Sequence, residues 1–118
     1  MEYGFFDGDE IGVTLEDLLR EVKVEDASKL SWMINVAMQE IKEYLEEIEK
    51  YEILIWGGDD LLIKTNNGKI SQTVIDKIRK TFFERTGCTI SGGIGSTVID
   101  AMDRLGEAKN SGRNKVIK

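Results

Sequence analysis

The chain contains no histidine and no proline, and it has a single cysteine. Without histidine, Ser-His-Asp triads, Cys-His dyads and histidine-ligated zinc are excluded. The lone Cys88 excludes an intramolecular disulfide and fits a reducing cytoplasm, where we expect the protein to reside. No apolar run reaches the roughly 18 residues that would suggest a membrane span. Met1-Glu2-Tyr3-Gly4 has neither the basic n-region nor the apolar h-region of a signal peptide. Positive charge is also in deficit: the net charge of −6 argues against a general nucleic-acid binder. Any catalysis must therefore rest on carboxylates, lysine, arginine, hydroxyls or a hard metal ion.

What is present fits one globular domain over residues 1–118, with 41% hydrophobic and 32% charged residues. Its centre is Ile53-Leu54-Ile55-Trp56-Gly57-Gly58-Asp59-Asp60-Leu61-Leu62-Ile63. Two apolar, β-branched runs around a Gly-Gly turn read as a hairpin that carries Asp59 and Asp60 at its tip. Before it, Tyr3 to Phe6 reads as a strand whose exit is Asp7-Gly8-Asp9-Glu10. Thr14 resembles an N-cap, with Asp17 completing a capping box for a short helix. Leu30, Ile34, Ala37, Ile41, Leu45 and Ile48 recur at helical spacing and predict a helix from about Ala27 to Lys50.

After the hairpin, Asn66-Asn67-Gly68 is a turn and Ser71 caps a third helix that Gly87 closes. A fourth strand starts at Cys88 and runs into Gly92-Gly93-Ile94-Gly95. Ser96 or Thr97 caps a last helix, with Val98, Ala101, Met102, Leu105 and Ala108 inward. Lys115 to Lys118 suits a final strand. The order β-α-α-β-β-α-β-α-β predicts an α/β fold: a ferredoxin-like sandwich with a mixed sheet of about five strands.

Several motifs fail on inspection. Asp7-Gly8-Asp9-Glu10-Ile11-Gly12 is not an EF-hand loop, because Ile11 and Leu18 stand where oxygen ligands belong. Gly93-Ile94-Gly95 is neither a dinucleotide fingerprint nor a P-loop, and its glycines suit close strand–helix packing. Cys88 reads as a small core residue, since no base is at hand to activate it. Trp32 and Trp56 read as packing or ring-edge residues rather than base-stacking platforms, and Met33, Met38 and Met102 read as core.

One constellation survives. If the first strand lies beside the hairpin, Asp7 and Asp9 approach Asp59 and Asp60. Crowded carboxylates repel unless a cation sits among them, and an all-oxygen set favours Mg2+ or Mn2+. Such a site suits phosphoryl or nucleotidyl transfer without a protein general base. On charge alone the basic end Lys109, Arg113, Lys115 and Lys118 reads as a solvated tail. Set beside the acidic turns, Lys109 and Arg113, four residues apart, are placed to hold terminal phosphates.

Gly57-Gly58-Asp59-Asp60, Asp7, Ser91-Gly92-Gly93-Ile94-Gly95 and Ala108-Lys109-Asn110-Ser111-Gly112-Arg113-Asn114 together resemble the GGDEF/nucleotidyl-cyclase palm superfamily. Within it the pattern is most similar to the minimal CRISPR polymerase (mCpol) palms of anti-phage defence. That resemblance implies Asp7, Asp59 and Asp60 as catalytic metal ligands, with help from the backbone of Gly8. It implies nucleotide contacts from Gly8, Asp9, Gly57, Gly58, Lys109 and Arg113, the last two on the β- and γ-phosphates. It further implies ATP as substrate, a cyclic di- or oligoadenylate as product, and a homodimer with no stable nucleic-acid or membrane partner. Two features of diguanylate cyclases lack counterparts. No guanine-reading Asn and Asp follow the first strand, and Glu49-Lys50-Tyr51-Glu52 stands in place of the Arg-x-x-Asp inhibition motif. A non-catalytic nucleotide sensor and a mononucleotide cyclase are the alternatives.

Overall fold

The computed structural model describes residues 1–118. Its elements run β1 (Tyr3–Gly8), α1 (Ile11–Arg20), α2 (Val24–Glu46), β2 (Tyr51–Gly57), β3 (Asp60–Thr65), α3 (Gln72–Thr86), β4 (Ile90–Gly95), α4 (Val98–Asn110) and β5 (Val116–Ile117). The sheet order is β2-β3-β1-β4-β5. Four strands are antiparallel to their neighbours, and β5 joins β4 in parallel, so the sheet is mixed as expected.

Strand β1 sits at the centre because its side chains serve both faces. Phe6 is fully buried and joins Ile34, Met38, Ile41, Ile75, Ile78, Phe82, Ile90 and Ile94 in the main core under α2 and α3. Side chains alternate along a strand, so Phe5 and Asp7 face the other side, where α4 lies. There α4 approaches β4 as closely as two backbones can. A Cβ on Gly93 would stand 2.2 Å from the Ala101 carbonyl oxygen, which only a glycine avoids. Ala101 and Ala108, both fully buried, supply the matching small surface on α4.

The helix ends follow local chemistry with two exceptions. Ser71 caps α3 by accepting from the Val74 N–H at 3.2 Å, and Gly87 closes it with φ 71°. Thr97, rather than Ser96, caps α4 by accepting from the Asp100 N–H at 3.0 Å. The Thr14 cap is a correction: α1 starts four residues earlier than that cap would set it, at Ile11, directly from the β1 exit. Thr14 instead bonds its hydroxyl back to the Glu10 carbonyl at 2.8 Å. The second helix also begins earlier than the apolar period indicates, at Val24, where Glu25 and Asp26 favour the positive helix end. It stops at Glu46, but Ile48 still packs on the core from the turn that follows.

Three apolar side chains lie further out than expected. Met102 is 51% exposed because it falls at the edge of the α4 stripe that Ala101 and Ala108 define. Met33 is half-buried, and Trp32 is 66% exposed on α2, so it is not a packing residue.

Candidate active site

The β1–β3 register sets Asp7 opposite Asp60. The hairpin closes with Gly58 and Asp59 between the paired residues Gly57 and Asp60. Gly58 alone of the two has positive φ, 56°, as the first central position of a type II′ turn requires. That turn folds Asp59 back over β1. A Cβ on Gly8 would lie 2.8 Å from Asp59 Oδ2 and 2.8 Å from Ile11, so the carboxylate occupies space that a side chain would take. One carboxylate oxygen each from Asp7, Asp59 and Asp60 then lies within 4.8 Å of the others.

These acids do not sit comfortably together. Loss of hydration raises the Asp59 carboxyl above its ordinary range, and the Asp7 charge raises it further. Asp60 is pushed up to about 6, again by lost hydration first, although the residue as a whole is exposed, and then by Asp7 and Asp59. Lys109 partly offsets both shifts. Three hard oxygen donors held in mutual repulsion fit a divalent cation such as Mg2+ or Mn2+.

Asp9 lies elsewhere. Although only two residues from Asp7, it does not join the cluster, because the chain turns at Gly8-Asp9 after β1 ends. Its Oδ1 accepts from Ser91 Oγ at 2.7 Å and Lys109 Nζ at 2.9 Å. Its Oδ2 accepts from Thr89 Oγ1 at 2.7 Å and the Asn114 N–H at 3.0 Å. These bonds outweigh burial and hold its carboxyl below the ordinary range, so this buried acid is a satisfied structural anion.

Lys109 reaches the centre of the site from α4. Its ammonium bonds the carbonyl oxygens of Asp7 (3.1 Å) and Gly8 (2.9 Å), Asp9 Oδ1, and Asp7 Oδ2 at 3.1 Å. The Gly8 carbonyl therefore faces this ammonium. Arg113 is separate: it is exposed, has φ 60°, and stands 3.9 Å from Glu10. Gly57 and Gly58 are exposed, with open space where their side chains would be. Burial pushes the Cys88 thiol up, which suits a small packing residue and not a nucleophile.

Reasoning from sequence missed Thr89, Ser91 and Asn114, which together fix Asp9 and through it Lys109. Ser91 lies on β4 beside β1, and Thr89 lies two residues earlier, just before that strand starts, a spacing visible beforehand. The Asn114 amide was not, since its placement depends on two consecutive left-handed residues, Arg113 and Asn114.

The minimal CRISPR polymerase (mCpol) domain family matches residues 3–118, nearly the entire chain. The chain belongs to this family. The mCpol palm has counterparts among solved structures. The Csm1–Csm4 cassette in complex with AMPPNP superposes with a TM-score of 0.68 at 21% identity, over 98% of this chain and 20% of that one. The diguanylate cyclase SiaD of Pseudomonas aeruginosa, solved with its activator SiaC, gives 0.59 at 21% identity, over 99% of this chain and 49% of that one. The GGDEF domain of PA1120 (TpbB or YfiN) from Pseudomonas aeruginosa gives 0.52 at 14% identity, over 98% and 75%. This mCpol chain thus spans a fifth and about half of the first two chains. At these identities the likeness concerns the fold. No curated protein matches the sequence. Family and fold make the chain a palm domain of the nucleotide cyclase and polymerase kind, a class in which an acidic cluster generally works with metal ions. No helix is long and apolar enough to cross a membrane.

Proposed function

We propose that this mCpol palm is a metal-dependent nucleotidyltransferase that joins ATP into a cyclic dinucleotide or short cyclic oligoadenylate, a signal suited to anti-phage defence. The observation that carries this reading is the convergence of Asp7, Asp59 and Asp60 within 4.8 Å, at the end of the sheet where Lys109 also arrives. Mg2+ or Mn2+ held by these three carboxylates would lower the pKa of an attacking hydroxyl and offset charge on the leaving pyrophosphate.

The chain's own residues do the positioning. A ribose hydroxyl of one nucleotide attacks the α-phosphorus of another, the α–β anhydride bond breaks, pyrophosphate leaves and the hydroxyl proton passes to water. Asp7, Asp59 and Asp60 hold the charge balance of the site. Gly57 and Gly58 leave the hairpin backbone open to the nucleotide. Lys109 neutralises the acids and meets the triphosphate, with Arg113 reaching its outer end. Asp9 serves the nucleotide indirectly, by fixing Lys109, and the Gly8 backbone lines the approach. Two nucleotides must meet, so a homodimer in which each subunit presents one is the natural assembly.

Incubating the protein with each NTP and Mg2+ or Mn2+, then measuring pyrophosphate and product mass, tests this reading. Pyrophosphate and a cyclic adenylate mass with ATP are expected. The absence of pyrophosphate with every NTP would refute it.

A further inference from the structure

The segment after α4 takes a conformation that few L-residues adopt. Gly112, Arg113 and Asn114 follow one another with φ of 106°, 60° and 50°, all in the left-handed region. For the two that carry a Cβ this backbone is strained, so it persists only where other contacts over-determine it. The Arg113 N–H donates to the Ala108 carbonyl at 2.9 Å, which ties the turn to the end of α4. The Asn114 N–H donates to Asp9 Oδ2 at 3.0 Å. Two further contacts come from α3: Arg79 Nη2 donates to the Asn114 carbonyl oxygen and to Asn114 Oδ1, each at 3.0 Å.

Arg79 is dedicated to this one residue. Arg20, Arg85 and Arg113 each face a glutamate carboxylate. Arg79, half-buried on α3, faces two neutral oxygens instead. Because one oxygen is main chain and the other side chain, a single nitrogen fixes both the backbone and the rotamer of Asn114. From there the bonds run inward without a gap. Arg79 holds Asn114 at 3.0 Å, Asn114 holds Asp9 at 3.0 Å, Asp9 Oδ1 holds Lys109 at 2.9 Å, and Lys109 meets Asp7 Oδ2 at 3.1 Å. Asp9 is the joint of this chain. Its Oδ2 has two donors, Thr89 Oγ1 and the Asn114 N–H. With the second withdrawn, the carboxylate can turn about the Thr89 bond and carry Oδ1 off Lys109.

We propose that Arg79 is a positioning residue for the triphosphate: it locks the strained Asn114, Asn114 orients Asp9, and Asp9 sets the Lys109 ammonium beside Asp7. The proposal rests on the reading that Lys109 meets the triphosphate of a nucleotide. Arg79 touches no substrate atom, and its loss is felt only through Lys109. Two simpler roles predict otherwise. A brace for the C-terminal segment alone would alter stability and leave ligand affinity untouched. A positive charge acting at a distance would be shared by Lys80, the next residue on α3, which pairs with Glu84 at 3.8 Å and does not bond Asn114.

The experiment measures binding of α,β-methylene-ATP, which cannot release pyrophosphate, by calorimetry in Mg2+, with thermal melts of every variant. Arg79→Ala should weaken the ligand about tenfold, the scale of one misplaced charge-assisted hydrogen bond. Alanine is the strongest helix former, so α3 is kept. Lys80→Ala should bind as wild type does. Lys109→Met should weaken the ligand at least as much as Arg79→Ala, and adding Arg79→Ala to it should bring no further loss, because the two act in series. Arg79→Ala that melts lower yet binds as wild type would overturn the proposal and reduce Arg79 to a brace. Equal losses in Arg79→Ala and Lys80→Ala, or losses that multiply in the double variant, would overturn it too. In each of those cases the wild-type protein still binds, and the triphosphate reading stands. A wild type that does not bind α,β-methylene-ATP would overturn both.

Discussion

Asp7 and Asp9 are two residues apart, yet the fold treats them in opposite ways. Asp9 is buried and receives four hydrogen bonds, which hold its carboxyl below the ordinary range. Asp7 stands among Asp59 and Asp60, whose carboxyls are raised above that range by lost hydration and by the Asp7 charge. The first acid is paid for by its partners within the chain; the second group lacks enough of them. A folded protein keeps unrelieved repulsion where something from outside relieves it, which is why the triad and not Asp9 is the candidate ion site.

The sharpest way to break this comparison is to delete one acid of each kind. Asp59→Ala should abolish nucleotidyl transfer, by on the order of 10²–10³-fold or more, since metal-borne charge stabilisation is worth several kcal/mol. Its stability should be unchanged or slightly raised, because a repelling charge is gone. Turnover assays and urea melts read the two effects separately. Asp9→Ala should do the reverse in stability, costing about 2–4 kcal/mol by leaving Lys109, Ser91, Thr89 and the Asn114 amide short of their acceptor. A urea melt of Asp9→Ala that matches wild type would remove the contrast.

The same contrast shows what the sequence made legible. Asp7, Asp59 and Asp60 converge because alternation and hairpin pairing are local rules, and they place strand ends together once the element order is known. The mixed sheet of about five strands followed for the same reason, but the order of its strands did not. Asp9 was misjudged since a turn after β1 can send a side chain either way, and only the donors of β4 and the loop after α4 decide. Lys109 was placed at the right end of the molecule, but its inward reach to backbone carbonyls depends on α4 lying hard against Gly93. Thr14 looked like a helix cap because residue type at one position cannot reveal that the preceding strand feeds straight into the helix. Trp32 and Trp56 read as packing or ring-edge residues because large aromatics usually are, yet both are exposed.

A smaller effect sharpens the picture. Saturating Mg2+ or Mn2+, at about 100 times its Kd, should raise stability by about 2.7 kcal/mol and the melting temperature by roughly 10 °C. Asp59→Ala should lose most of that shift, and Asp9→Ala should keep it. An equal shift in Asp59→Ala would place the ion elsewhere.

The mildest prediction concerns pH without added ions. Asp59 and Asp60 have raised carboxyls, so the folded state binds more protons than the unfolded chain between about pH 4 and 6. Stability should therefore fall as pH rises through that window, and divalent ions should reverse the fall. Asp9, with its carboxyl lowered, acts oppositely: its contribution is present above the ordinary carboxylate range and is lost as pH drops below it. Thermal melts across pH 3 to 8 on wild type, Asp60→Asn and Asp9→Asn check both signs. Asp60→Asn should flatten the upper window only.

The most direct test of the central claim is to locate the ion itself. A crystal grown with Mn2+ and AMPPNP, measured at the manganese absorption edge, should give an anomalous peak bonded by the carboxylates of Asp7 and Asp59 and by phosphate oxygens of the nucleotide. Nucleotide bound with manganese away from these aspartates would contradict the account.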